Sequence, residues 1–225
     1  MDPPVPLVIA IDGPAGAGKT TVARGVARAL GIAHLDTGAM YRALTAKALA
    51  RGVEPTNAAA LAELADGTGM TFAADGLVVD GSPVGPEIRG REVNRWVSTV
   101  AAHPKVRAAL VAMQRRMMAE GEIVAEGRDI GTVVCPDAPV KVFLTASPEE
   151  RAQRRHAEVE ATGEPANLED LRQEITHRDQ TDSTRETSPL VPAEDAVLLD
   201  TTGKTPEQVV DAIVQMARRV TARDR

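Results

Sequence analysis

Gly13-Pro14-Ala15-Gly16-Ala17-Gly18-Lys19-Thr20 decides the reading of this 225-residue chain, because it meets every position of the phosphate-binding pattern G-x-x-x-x-G-K-S/T. Its flanks agree with that reading. The apolar run Leu7-Val8-Ile9-Ala10-Ile11 before it has the composition of a buried parallel strand. After it, Val22, Val26, Ala29 and Leu30 recur on one helical face. Glycines let backbone N–H groups close around phosphate oxygens, and a helix N-terminus adds positive potential. Lys19 then reaches the terminal phosphates, while the Thr20 hydroxyl, with Thr21 directly behind it, can ligate Mg²⁺. The loop therefore implies a bound nucleoside triphosphate. Gly203-Lys204-Thr205 also follows a strand pattern, but Leu198 stands where the first glycine of the motif belongs. That segment reads as a turn with a helix cap.

Bulk composition narrows the class. Hydrophobic residues make up 43% of the chain and aromatics only 2%, so the core is built from Val, Leu, Ile, Ala and Met. A single cysteine, Cys135, excludes intrachain disulfides and thiolate metal clusters. The four histidines show no ligand spacing. A net charge of −6 argues against a nucleic-acid partner, whose phosphate backbone needs a basic surface. Arginine outnumbers lysine 21 to 5, and only arginines in particular contexts merit a role. No apolar run approaches the roughly 18 residues of a membrane span, and Met1-Asp2-Pro3-Pro4 carries no basic leader. The expectation is a cytoplasmic enzyme with no membrane partner and, lacking heptads or a large aliphatic patch, a monomer.

Five segments read as buried strands: residues 7–11, 32–35, 123–125, 140–144 and 196–199. Helical patterns separate most of them, which argues for an α/β fold with a five-stranded parallel sheet flanked by helices. The gap between the second and third strands is too long for one crossover. It holds helical stretches near 39–51 and 57–65, a hairpin from 70–73 and 77–79 turned at Ala74-Asp75-Gly76, and helices near 89–101 and 105–120. This is an inserted subdomain. Residues 151–167, with Arg151, Arg154 and Arg155 ahead of Thr162-Gly163-Glu164-Pro165, read as a mobile lid. The expected organisation is core at 1–38, an inserted acceptor-binding subdomain at 39–104, core at 105–150, lid at 151–167 and core at 168–225.

The loop alone does not separate kinases from GTPases and ATP-driven machines. A guanine signature (N-K-x-D or T-K-x-D) is missing. No strand pattern ends in four apolar residues and an acid in the right place to bind metal, and Leu198-Leu199-Asp200, the nearest, comes very late. Three segments are more telling: Leu35-Asp36-Thr37-Gly38-Ala39-Met40-Tyr41-Arg42, Glu126-Gly127-Arg128-Asp129-Ile130-Gly131-Thr132-Val133-Val134, and Arg178-Asp179-Gln180-Thr181-Asp182-Ser183-Thr184-Arg185. In order and spacing they resemble the bacterial cytidylate kinases, from about residue 6 to residue 220. The resemblance implies a P-loop nucleoside monophosphate kinase fold and transfer of the ATP γ-phosphoryl group to CMP or dCMP, with Mg²⁺ as cofactor. Beside it stand another small-molecule kinase of the UMP, adenylate or shikimate type, and a nucleotide-binding switch without transfer activity.

The same resemblance assigns roles by position. Thr37 and Arg42 fall to the acceptor α-phosphate, and Ser98 and Arg107 to the base. Arg128 grips phosphate, Asp129 helps read the cytosine edge, Arg178 and Asp182 bind the ribose hydroxyls, and Arg185 contacts the phosphates being exchanged. Arg154 and Arg155 are lid candidates for transition-state charge. The last motif also has a physical reading of its own. Leu168, Leu171, Ile175, Arg178, Asp182 and Arg185 fall within about 100° of one helix circumference. A face that is apolar for two turns and then ionic is leaving a core for a polar cavity.

Overall fold

The computed structural model describes residues 6–73, 76–161, 163 and 165–223. The expected turn residues Ala74 and Asp75, the lid residues Thr162 and Glu164, and the N-terminal tetrapeptide lie outside the described residues. Two compact units emerge from the contacts: Met1–His34 with Gly121–Thr184 and Ser188–Arg225, and Leu35–Glu120 with Arg185–Thr187. Helix 105–120, expected in the core, falls in the second unit.

In chain order the first part runs β1 (Val8–Asp12), α1 (Lys19–Leu30), β2 (Ala33–Asp36) and α2 (Thr37–Ala50). The insertion continues with α3 (Ala58–Asp66), β3 (Met70–Ala73), β4 (Gly76–Val79), β5 (Ser82–Pro83), a 3₁₀ turn (Pro86–Arg89), α4 (Arg91–Ala102) and α5 (Pro104–Met118). Then come β6 (Ile123–Gly127), a π-helical turn (Ile130–Val134), β7 (Val140–Thr145), α6 (Pro148–Glu160), α7 (Leu168–Thr184), β8 (Val197–Asp200) and α8 (Pro206–Arg223).

The five-stranded parallel sheet has the order β2-β6-β1-β7-β8. Its centre is apolar and every residue of β1 and β6 is buried; on one face Ile9 and Ile11 meet Val22 and Val26 of α1 and Ile213 of α8 in one core cluster. Central strands therefore match the continuous apolar runs of a buried parallel sheet. The fifth strand does not. The apolar run 196–199 predicts a buried strand, but β8 lies at the sheet edge with Val197 44% and Leu198 65% exposed. It pairs with β7 on one side alone, so its apolar side chains are half-covered at best.

The decoy at 203–205 behaves as a cap. Thr205 Oγ1 accepts from Gln208 N–H while Gln208 Oε1 accepts from Thr205 N–H, the reciprocal bonds of a capping box opening α8. In the second unit, Asn57 caps α3 and Asp36 caps α2 through Ala39 N–H at 2.9 Å. The expected hairpin gains a third strand, giving the sheet β3-β4-β5. Lys47 Nζ ties α2 to this piece by donating to Thr68 Oγ1 at 2.7 Å and to Asp80. None of the described helices is long and apolar enough to cross a membrane.

Candidate active site

The loop after β1 is shaped by close packing on β7. A Cβ at Gly13 would lie 2.3 Å from the Leu144 carbonyl oxygen, so the first motif position admits only glycine. Gly18 occupies the N-cap of α1 and makes no side-chain cap bond, so the first N–H groups of the helix take no partner from a cap residue. Lys19 is buried and its Nζ donates to the Pro14 carbonyl at 2.7 Å, across the mouth of the loop.

Three cations converge here. Burial, and then the proximity of Arg128 and Arg178, holds the Lys19 ammonium well below the usual lysine range, with Glu126 opposing. Burial and Arg128 likewise bring the Arg178 guanidinium down to about 10, and Asp182 opposes. Arg128 Nε donates to Asp182 Oδ2 at 2.9 Å, and Asp182 is buried on α7. The Arg178 Nε is buried with no hydrogen-bond partner among the described residues. Cations that depress one another's ionisation, one of them with an unmet donor, form a site made for an anion. The ionic end of the α7 stripe is therefore inward: Leu171, Ile175 and Asp182 are buried. Its two ends differ from expectation. Leu168, the first residue of the helix, is 43% exposed. Arg185 falls one residue beyond Thr184, where α7 ends, and groups with the second unit.

The acid that the sequence pattern does not single out is Glu126. Its carboxylate accepts from Thr20 Oγ1 at 2.9 Å, and its other oxygen lies 2.9 Å from His34 Nε2. It stands opposite Ile11 in the β1–β6 register, beside the phosphate loop. Only three apolar residues precede it, so a search for four passes it over. Thr21 is exposed.

Helix α6 braces the loop from another side. Arg151 donates to the Ala15 carbonyl at 3.1 Å and pairs with Asp179, whose Oδ1 accepts from Ala15 N–H at 3.1 Å. Nothing in their spacing signals this contact between residues 136 and 164 positions apart in the chain. Arg154 donates to Thr201 Oγ1 at 2.9 Å and to its carbonyl at 2.8 Å, and approaches Gly18. Arg155 pairs with Glu158 at 3.0 Å on the outside.

The second unit carries its own polar set. Arg107 of α5 is 2% exposed, with its guanidinium 5.3 Å from the Tyr41 ring centroid and a donor on the Ala101 carbonyl. Ser98 Oγ of α4 is buried with no hydrogen-bond partner among the described residues. Arg42 donates to Asn94, and Thr37 is buried at the start of α2. Asp36 also accepts from Arg89 at 3.0 Å.

One carboxylate in the first unit titrates far from its ordinary range. Burial pushes Asp12 from 3.8 up to about 6, with Asp129 reinforcing this and Lys19 and the backbone donors Ile130 and Gly131 opposing it. The folded state therefore holds a proton that the unfolded chain releases at lower pH. That contribution is fully present below pH 3.8 and is lost as pH rises to about 6. A displacement of that size corresponds to roughly 3 kcal/mol. Urea unfolding of the protein and of Asp12→Asn at pH 4 and pH 7 should show the unsubstituted chain losing stability relative to the variant as pH rises. A constant difference between the two would contradict the raised Asp12 value.

The family model described as cytidylate kinase matches residues 9–219. The chain belongs to the cytidylate kinase family. It is 46% identical over 212 residues to a cytidylate kinase of Alkaliphilus oremlandii, covering 94% of this chain and 98% of that relative. It is 48% identical over 213 residues to a cytidylate kinase of Desulfitobacterium hafniense, covering 93% and 92% respectively. Among solved structures, an uncharacterized protein from Eubacterium ventriosum superposes with a TM-score of 0.54 at 13% identity, covering 94% of this chain and 98% of its own. That likeness concerns the fold alone. As a member of this family the chain is a nucleoside monophosphate kinase, and its phosphate loop carries the Lys19 and Gly13 geometry described above.

Proposed function

We propose that the chain transfers the γ-phosphoryl group of ATP to CMP and dCMP, giving ADP and the cytidine diphosphates. The observation that carries this reading is the convergence of Lys19, Arg128 and Arg178 on the phosphate loop, in a chain of this family. Residues 13–21 take the donor phosphates. In the first unit Arg128 grips phosphate, Asp129 reads the cytosine edge and Arg178 with Asp182 takes the ribose hydroxyls. In the second, Thr37 and Arg42 serve the acceptor phosphate, Ser98 and Arg107 the base, and Arg185 the phosphates being exchanged. Arg154 supplies charge from the lid at 151–167. The insertion at 39–104 is the acceptor-binding piece. The protein works as a monomer in the cytoplasm.

The acceptor atom is a phosphate oxygen already ionised at pH 7, so the reaction needs no general base. Catalysis is then positioning plus neutralisation of the charge that spreads over the transferred group. Lys19 supplies that charge at the donor and Arg128 at the acceptor. Closure of the lid excludes the water that would otherwise hydrolyse ATP.

The oxygen donors at Thr20 and Glu126 fit Mg²⁺, a hard ion that takes one or two side chains and completes its shell with phosphate oxygens and water. Among the described residues no group of three or more His, Cys, Asp or Glu could hold a metal by itself. We assign the metal to Thr20, with Glu126 behind it. Bound there, Mg²⁺ neutralises charge on the donor phosphates. A coupled ADP-release assay tests the kinase reading against a nucleotide switch. Release should require both ATP and CMP; release from ATP alone at the same rate would overturn it.

A further inference from the structure

Asp129 stands at the N-cap of the π-helical turn Ile130–Val134, yet its side chain makes no cap bond there. An aspartate in that position ordinarily accepts from the N–H groups of its own first turn. Here a different residue does so. Asp12, at the last position of β1, accepts from Ile130 N–H at 2.9 Å and from Gly131 N–H at 2.8 Å, one with each carboxylate oxygen. The two strands make this possible, since Asp12 sits opposite Gly127 in the β1–β6 register, two residues before Asp129. Packing around Gly131 is close: a Cβ there would lie 3.3 Å from Lys141 Cδ and in ordinary contact, at 3.5 Å, with Asp12 Oδ2. Ile130, Gly131 and Asp129 are all buried, so their donors need a partner from within the protein.

We propose that Asp12 is a positioning residue for acceptor-base recognition. By capping the turn from across the sheet, it keeps Asp129 from folding back onto its own helix and directs the Asp129 carboxylate to the substrate. One carboxylate thereby ties the strand that leads into the phosphate loop to the turn that reads the base. This inference rests on the proposed role of Asp129, and the test separates the two.

Asp12→Asn retains one acceptor oxygen for two donors; Asp12→Ala retains none. The measurements are kcat/KM for CMP and for UMP, the KM for ATP, and amide hydrogen exchange at Ile130 and Gly131. Discrimination for CMP over UMP should fall about five- to tenfold in Asp12→Asn and reach the level of Asp129→Ala in Asp12→Ala. Exchange at the two amides should quicken, while the KM for ATP stays within about twofold. In an Asp129→Ala background, neither Asp12 variant should lower discrimination further, because Asp12 acts through Asp129. A merely structural Asp12 would instead raise the KM for ATP in step with that for CMP, or add its effect to that of Asp129→Ala. Either result overturns the inference, as does unchanged discrimination in Asp12→Asn despite quickened exchange. Unchanged base choice in Asp129→Ala alone overturns the role of Asp129 and the inference with it. Should Asp12→Ala not fold, Asp12→Asn decides by the same readouts.

Discussion

Lys19→Ala lowers kcat by about a thousandfold or more and leaves the protein folded. The catalytic loss follows from what the ammonium does. It is a fixed positive charge in a buried loop, where little water competes, and one such preorganised donor is worth about 10²–10³ in rate. The charge it meets in the transferred group is larger than that of a single oxyanion, which places the loss at or above the upper end. Stability moves the other way. Burial and the neighbouring Arg128 and Arg178 hold the Lys19 ammonium below its usual range, so the charged form is disfavoured in the folded state. Removing it relieves that repulsion. Thermal unfolding of the variant should therefore occur at the same temperature or higher, with turnover lost. Near-normal turnover would contradict the assignment of the phosphate loop.

Asp182→Ala carries the largest expected cost in stability, about 3–5 kcal/mol. Its carboxylate is buried, accepts from Arg128 at 2.9 Å and opposes the depression of Arg178 more strongly than Asp179 does. Without it two guanidiniums face each other in a desolvated place. Asp182→Asn keeps an acceptor and should lose less. Kinetically the KM for CMP and for dCMP should both rise, and the preference for cytosine should stay, if Asp182 serves the ribose side as proposed. Urea unfolding and steady-state kinetics check the two halves separately. A variant that unfolds at the same urea concentration as the unsubstituted protein would show that the pair contributes nothing.

The sheet is legible in the sequence to within a residue or two, and the errors have one direction. Apolar runs end at residues 11, 35, 125, 144 and 199, whereas the strands end at Asp12, Asp36, Gly127, Thr145 and Asp200. Each strand continues into polar or small residues at its carboxyl end. That is the edge where open α/β sheets place their ligands, and the polar and small residues there break the apolar pattern. Glu126 escapes a pattern search for the same reason. Asp12, Arg151 and Asp179 escape for another: the backbone groups they bind, at Ile130, Gly131 and Ala15, lie more than a hundred positions away in sequence, and only the register of β1 on β6 and the placement of α6 and α7 bring them together. The α7 stripe is visible because 3.6-residue periodicity acts within one element. Its ends are not, because Leu168 lies at the first turn of α7 and Arg185 beyond the last.

The most direct measurement is the rate of ADP formation with ATP–Mg²⁺ and, in turn, CMP, dCMP, UMP, AMP, GMP and dTMP as acceptor. CMP and dCMP should give the highest kcat/KM, and ADP should form far more slowly with no acceptor present. Preference for any acceptor without cytosine would contradict the account.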